Sequence, residues 1–282
     1  MASPRVEDAI KDQAKKLGAW VVGIARAEDV NKIAPKGHRP ADMMRGTKSV
    51  VVVGTGVTSA GSWRAPSARV QAAIAYNRTL NIVIAQQLVP FIESNYRHAA
   101  MLCPPGSANG RHPYISLKLL AEMAGLGTRS MAAGILLNER HGLLYFGAAL
   151  TTLELEPDGP LAEPVCPHPA CVKLWAKKRV LPCLDSCPTC LDGELEDGAI
   201  QWMEYRQSYC LPRAQTSAMA SFQKLLLEAM DEPDAQKRKM IVYGNHFSRA
   251  VASLGYSAEL VGQCFECMRK CPVDMAARAK VT

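Results

Sequence analysis

Residues 264–272 read Cys264-Phe-Glu-Cys267-Met-Arg-Lys-Cys271-Pro272, and upstream Cys183-Leu-Asp-Ser-Cys187-Pro188 repeats the closing half of that pattern. A cysteine three residues after another and followed directly by proline closes the bacterial ferredoxin motif. In that motif the cysteine before proline ligates the neighbouring cluster. Two such half-motifs in one chain predict two 4Fe–4S clusters, each borrowing a thiolate from the other's motif.

Working outward, the chain has ten cysteines, and all but Cys103 fall after residue 160. Two cubanes need about eight thiolates. The crossed rule assigns Cys166, Cys171, Cys183 and Cys271 to one cluster, and Cys187, Cys210, Cys264 and Cys267 to the other. Cys103 and Cys190 are left over. The first motif is irregular, reading Cys166-x4-Cys171-x11-Cys183-x3-Cys187-Pro188. Its insertion carries Lys173, Trp175, Lys177, Lys178 and Arg179 and is expected to be a loop or short helix. Cys190 or His168 is an alternative to one of the early ligands. Zinc competes, because Cys187-x2-Cys190 and Cys264-x2-Cys267 have zinc-knuckle spacing. Zinc accounts for neither the Cys-Pro steps nor the x3 spacing. Disulfides compete less well, since no secretory signal accompanies the cysteines.

A length of 282 residues and 48% hydrophobic content suffice for one large domain or two smaller ones. The longest apolar runs, Val50 to Val53 and Leu80 to Ile84, are too short to span a bilayer. The N-terminal stretch carries early acids and no apolar h-region. The expected location is therefore the cytoplasm, with no membrane partner. The net charge is +7. Basic runs at Lys177-Lys178-Arg179 and Lys237-Arg238-Lys239 read first as solvated surface. Their functional reading is a docking site for an acidic electron donor, a ferredoxin or flavodoxin. No basic stripe with interleaved aromatics points to nucleic acid.

Helical spacing covers Val6 to Leu17, and Ala19 to Ile24 reads as a strand. Thr47 to Val57 is a β-branched run of the buried-strand kind. Its Gly54-Thr55-Gly56 lacks the third glycine of a dinucleotide fingerprint. Ala68 to Tyr96 reads as a long helix, bent or ended near Pro90. A Pro/Gly-rich loop spans Cys103 to Tyr114, and a helix spans Ile115 to Ala124. Ala133 to Leu137 and Leu143 to Thr152 read as strands around a turn. Pro157 to Pro169 reads as a connection. Ser217 to Met230 and Ala235 to Leu254 read as two further helices.

The stretch AEMAGLGTRSMAAGILLNERHGLLYFGAALTTLELEPDGPL (residues 121–161) resembles the cobalamin-binding core shared by epoxyqueuosine reductases and reductive dehalogenases. The family's Ala-Gly-Leu-Gly step is Ala124-Gly125-Leu126-Gly127. Its strand ending is Gly147-Ala148-Ala149-Leu150-Thr151-Thr152-Leu153. Upstream, RPADMMRGTKSVVVVGTGV (residues 39–57) resembles the first core strand and its lead-in, and the cysteine groups follow in family order. The resemblance implies an α+β chain. A nitroreductase-like α/β cobalamin-binding domain (residues 1–160) would precede a bacterial-ferredoxin-like two-cluster domain (residues 161–282) with a helical insertion at about 215–255. It also implies an oxidoreductase that feeds electrons through two clusters to a base-off cobalamin acting on a small substrate. No Asp-x-His-x-x-Gly motif, the mark of a histidine-ligated corrinoid, occurs here.

In this reading Gly125, Leu126 and Gly127 bring the backbone close to the macrocycle. Asn138 bonds a corrin amide and Arg129 an anionic group. Three departures bear on the substrate. No acid lies between Met101 and Ala121, where the reductases carry an aspartate general acid. The Trp-x-Gly-Lys after their glycine step is Thr128-Arg129-Ser130-Met131 here. The sequence stops soon after Cys271, without the helical repeats that hold tRNA. These departures point away from a tRNA base or a respiratory organohalide. His112 and Tyr114 become the candidate proton donors, and Arg111 an anion-binding candidate; a plain surface loop is the competing reading. His141 reads as a turn residue. The competing functions are a corrinoid-handling protein, which the missing aspartate favours, and a plain electron-transfer module.

Overall fold

A computed structural model describes residues 5–56, 67–104, 113–206, 218–254 and 266–278. Its centre is β2 (Ser49–Gly56), buried at every position. Alternate side chains of Val50 to Val53 face opposite sides of a sheet, so a strand covered on both faces loses the usual alternation. Val50 and Val52 enter a core with Ala25, Leu120, Phe146 and Leu150. Val51 and Val53 enter a second core with Ile10, Ile84, Leu88 and Ile92.

The sheet is antiparallel, in the order β1 (Val21–Arg26), β2, β6 (Gly142–Thr151), β5 (Leu136–Asn138), β4 (Thr128–Arg129). β6 pairs with β2 along one edge. Its other edge is shared by β5 at Gly142 and Leu143 and by β3 (Ala100–Leu102) at Ala149 to Thr151. The strand–turn–strand expected around residues 138–142 is present; β3 and β4 were not read from the sequence.

α1 (Val6–Lys16) buries Ile10 and Ala14 one turn apart, with acids in its first turn and lysines in its last, as the helix dipole favours. α2 (Ala27–Ile33) and the one-turn α3 (Pro40–Met43) follow β1 and precede β2. α4 (Ser67–Tyr96) packs on β6, β2 and β3 and runs through Pro90 to Tyr96 rather than ending there. α5 (Leu117–Met123) starts where the Ser116 hydroxyl accepts the Leu119 N–H, and it covers the opposite face.

The connection after β6 is tied back to this layer. The Asp158 carboxylate accepts the Ile24 N–H at 2.7 Å and pairs with Lys11 at 2.5 Å. Beyond it lie α6 (Pro169–Lys178) and α7 (Pro182–Asp185), so the insertion in the first cysteine motif is helical. β7 (Leu191–Glu196) and β8 (Ala199–Tyr205) form a hairpin absent from the sequence reading. α8 (Ala218–Asp231), α9 (Ala235–Tyr243) and α10 (Asn245–Leu254) pack on one another, with Phe222 edge-on to Phe247. The single helix expected over 235–254 is broken at Gly244, where the backbone is extended. α11 (Glu266–Arg269) and α12 (Pro272–Arg278) carry the last cysteines. Among the described residues no helix is long and apolar enough to cross a membrane.

Candidate functional site

Four cysteines from distant parts of the chain line one pocket. Cys166 arrives from the connection, Cys171 from the first turn of α6, Cys183 from α7, and Cys271 from the corner before α12. The pocket encloses about 400 Å³, its open mouth included, and Met131, Leu137, Leu181, Leu195 and Val273 also line it. This is the set that the crossed ferredoxin rule picks out. The α6 helix of the insertion brings Cys171 back beside Cys183, with His168 accepting the Ala170 N–H at 3.2 Å as its cap. His168 lines the same pocket.

The thiols feel both the apolar walls and each other. Burial first, then the neighbouring Cys166, Cys271 and Cys171, pushes Cys183 up to about 12. Burial, then Cys166 and Cys271, pushes Cys171 up to about 11. Cys166 and Cys271 are also raised by burial. Main-chain N–H groups offset this in part: Met131 donates to the Cys166 sulfur at 3.4 Å, and Asp274 and Val273 donate to Cys271. Four thiolates this close and this dry need positive charge between them, because a coordinating thiol is deprotonated only against a cation. Among the described residues no three Cys, His, Asp or Glu side chains gather as they would around one ion. The thiols stand instead on separate walls of a cavity. A polynuclear cluster bound by thiolates fits that donor set.

A second group lies alongside. Cys187, Cys190 and Cys267 are buried together with Leu191, Met268 and Cys271. Cys190, left over in the sequence allocation, is fully buried. Cys210 and Cys264 lie outside the described residues, so this group is seen in part. Every described cysteine is a free thiol.

The residues read as corrin contacts are engaged within the chain. A Cβ on Gly125 would stand 2.6 Å from the Gly159 carbonyl oxygen, and one on Gly127 would collide with the Leu137 carbonyl. The Asn138 amide donates to the Leu126 carbonyl at 3.0 Å, and its oxygen accepts the N–H groups of Arg140 and His141. The Arg129 guanidinium pairs with Glu122 at 2.9 Å. Protein therefore fills the space at the glycine step, and these residues present no cradle that a macrocycle would fill. What they do build is a lip of the cysteine pocket. Thr128 accepts the Val165 N–H at 2.8 Å, just before Cys166, and Ser130, Met131 and Ala132 line the cavity.

Arg111 and His112 lie outside the described residues. Tyr114 is 41% exposed, and the adjoining backbone is held by His38, whose Nδ1 donates to the Pro113 carbonyl at 2.8 Å. Trp20 stacks against His141 with ring centroids 5.4 Å apart. The sequence reading missed Asp274, which is fully buried next to Cys271.

No protein-family model matches the sequence, and no curated protein matches it. Solved structures do match. An epoxyqueuosine reductase bound to an epoxyqueuosine-modified tRNA-Tyr stem loop is similar at a TM-score of 0.57 and 16% identity, over 96% of this chain and 66% of that one. The Bacillus subtilis epoxyqueuosine reductase is similar at 0.55 and 16%, over 95% of this chain and 65% of that one. The catabolic reductive dehalogenase NpRdhA, in complex with 3-bromo-4-hydroxybenzoic acid, is similar at 0.53 and 18%, over 96% of this chain and 37% of that one. At these identities the likeness is one of fold. It is the fold expected from the resemblance, and the chain spans a little under two thirds of the length of the reductases.

Proposed function

We propose that this chain is an iron–sulfur redox enzyme of the cobalamin-dependent reductase type, with two 4Fe–4S clusters. A cobalamin-binding domain (1–160) and a ferredoxin-like domain (161–282) would be its two parts. The observation that carries this reading is the meeting of Cys166, Cys171, Cys183 and Cys271 at one pocket, three ligands from one motif and the fourth from the other. When bound, such a cluster supplies one-electron transfer. The chain's own part is to hold the sulfurs, exclude water with Met131, Leu181 and Leu195, and donate N–H bonds to Cys166 and Cys271. Hydrogen bonding and burial of this kind set a cluster's potential.

The fold supports a corrinoid as the next carrier. Because the glycine step is filled by protein, no chemical step is assigned to that cofactor here. His112 and Tyr114 are the proposed proton donors to a small reduced substrate. Lys173, Lys177, Lys178 and Arg179 are exposed on and just beyond α6, which carries Cys171. They offer an acidic ferredoxin or flavodoxin a place to dock in the cytoplasm. The second reading, a protein that reduces or delivers a corrinoid, is favoured by the lack of any carboxylate between Met101 and Ala121.

Anaerobic reconstitution, followed by metal analysis and an absorption spectrum with and without added cobalamin, tests the proposal. Iron–sulfur absorption together with cobalamin binding is expected. Iron without cobalamin binding would leave the plain electron-transfer module standing. Bound and reduced cobalamin without turnover of any small substrate would favour the handling protein.

A further inference from the structure

The Asp274 side chain is fully buried, three residues beyond Cys271. One oxygen accepts the Leu143 N–H at 3.0 Å and an Arg278 N–H at 3.1 Å, and the other accepts Arg278 Nε at 2.7 Å. The Arg278 side chain is only 14% exposed. Gly142, with φ of +68°, lies under the carboxylate. A Cβ there would stand 2.6 Å from the carboxylate oxygen and 2.9 Å from Asp274 Cα. The start of β6 and the Cys271–Pro272 corner are therefore in backbone contact, with the carboxylate as the bond between them.

A buried ion pair is a poor stabilising device, because desolvation cancels much of its Coulomb gain. Its position is more telling. The main-chain N–H of Asp274 donates to the Cys271 sulfur, and the carboxylate lies within electrostatic reach of it. Resting on the iron–sulfur reading, we propose that Asp274 is the positioning residue of the four-cysteine pocket. Its carboxylate latches the Cys271 corner onto Gly142 and Leu143 of the central strand. Its pairing with Arg278 sets the net charge beside that sulfur, and so the potential of the cluster there.

The test is a paramagnetic-resonance redox titration of the reconstituted full chain, with iron content measured alongside, for the wild type, Asp274→Asn and Arg278→Gln. Asp274→Asn keeps an acceptor for Leu143 but strands the Arg278 cation, so the midpoint of the pocket cluster should rise. Arg278→Gln leaves the latch in place and strands the carboxylate, so that midpoint should fall. A role confined to folding gives iron loss or shifts of one sign. If Asp274→Asn fails to hold iron, Arg278→Gln carries the test alone. Iron-loaded variants with unshifted midpoints, or midpoints shifted in one direction, overturn this inference and leave the cluster reading intact. A wild type that takes up no iron overturns both.

Discussion

The sheet and the cysteine pocket are two different solutions to the problem of a core. The sheet buries valine, leucine, isoleucine and alanine on both faces of β2 and β6, and two large apolar clusters hold it. Around the cysteines the corresponding clusters are smaller, and thiols take the place of aliphatic side chains: Cys187, Cys190, Cys267 and Cys271 in one, with Cys166, Cys171 and Cys183 packed at its edge and the next. Hydrophobic burial alone can fold the first region. The second puts weakly stabilising, hard-to-ionise groups where a core should be, which makes sense if metal binding supplies its folding energy.

The sharpest way to break the comparison is to remove the metal. Loaded protein should hold about eight iron per chain, from two four-iron clusters. Cys271→Ala should empty the four-cysteine pocket and Cys187→Ala its neighbour, each leaving about half the iron. Stripping all iron should expose the segment after residue 160 to limited proteolysis while the sheet keeps its protection. Stoichiometric zinc without iron, or uniform digestion of both regions, would break it.

The converse perturbation acts on the sheet. Leu150 lies on β6, fully buried between α5 and β2. Leu150→Ala should cost about 2–5 kcal/mol, the usual range for a buried leucine truncated to a cavity. Denaturant melts of the loaded variant measure it, with iron content at the wild-type value. Iron loss matching the stability loss would mean that the two regions fold as one unit.

Each region was legible in the sequence to a different depth, for physical reasons. Val50 to Val53 announced a strand buried on both faces, and Gly142 to Thr151 its neighbour, because a pattern of burial is written in consecutive residues. The four pocket cysteines were legible because cluster geometry fixes their spacing. The β7–β8 hairpin was missed although Asp197-Gly198 is the turn pair that two-residue hairpins favour, with both residues at positive φ. The Asp274 latch could not be read, since its partner Leu143 is 131 residues away. The glycine step was recognised, but a sequence cannot say what approaches a glycine. Here it is the carbonyls of Leu137 and Gly159.

Cys103 sharpens the comparison within one residue type. It is 2% exposed in the sheet core, and burial alone pushes its thiol up to about 12. Its folded pKa lies above the unfolded one, near 9. The stability tied to keeping it a thiol is therefore full below about 9 and is lost as pH rises toward about 12. At pH 8, alkylation followed by mass spectrometry should leave Cys103 unmodified in folded protein, and unfolding should expose it. The cluster cysteines should become reactive on iron removal alone. Labelling of Cys103 at the same rate as the stripped ligands would show that the sheet does not stand by itself.

The smallest effect is expected at Arg129, where the two regions meet. Its guanidinium is paired with Glu122 on α5, and its strand leads to the Met131 N–H that touches Cys166. Both partners are about one-third exposed, and an ion pair in that setting is worth less than about 1 kcal/mol. Arg129→Gln should therefore shift a denaturant melt by no more than that and leave the iron content unchanged. If Arg129 only frames the pocket, cobalamin affinity should also stay where it is. A tenfold or greater loss of cobalamin affinity at unchanged stability and iron content would make Arg129 a cofactor contact. It would then join the sheet and the cysteine pocket into one site.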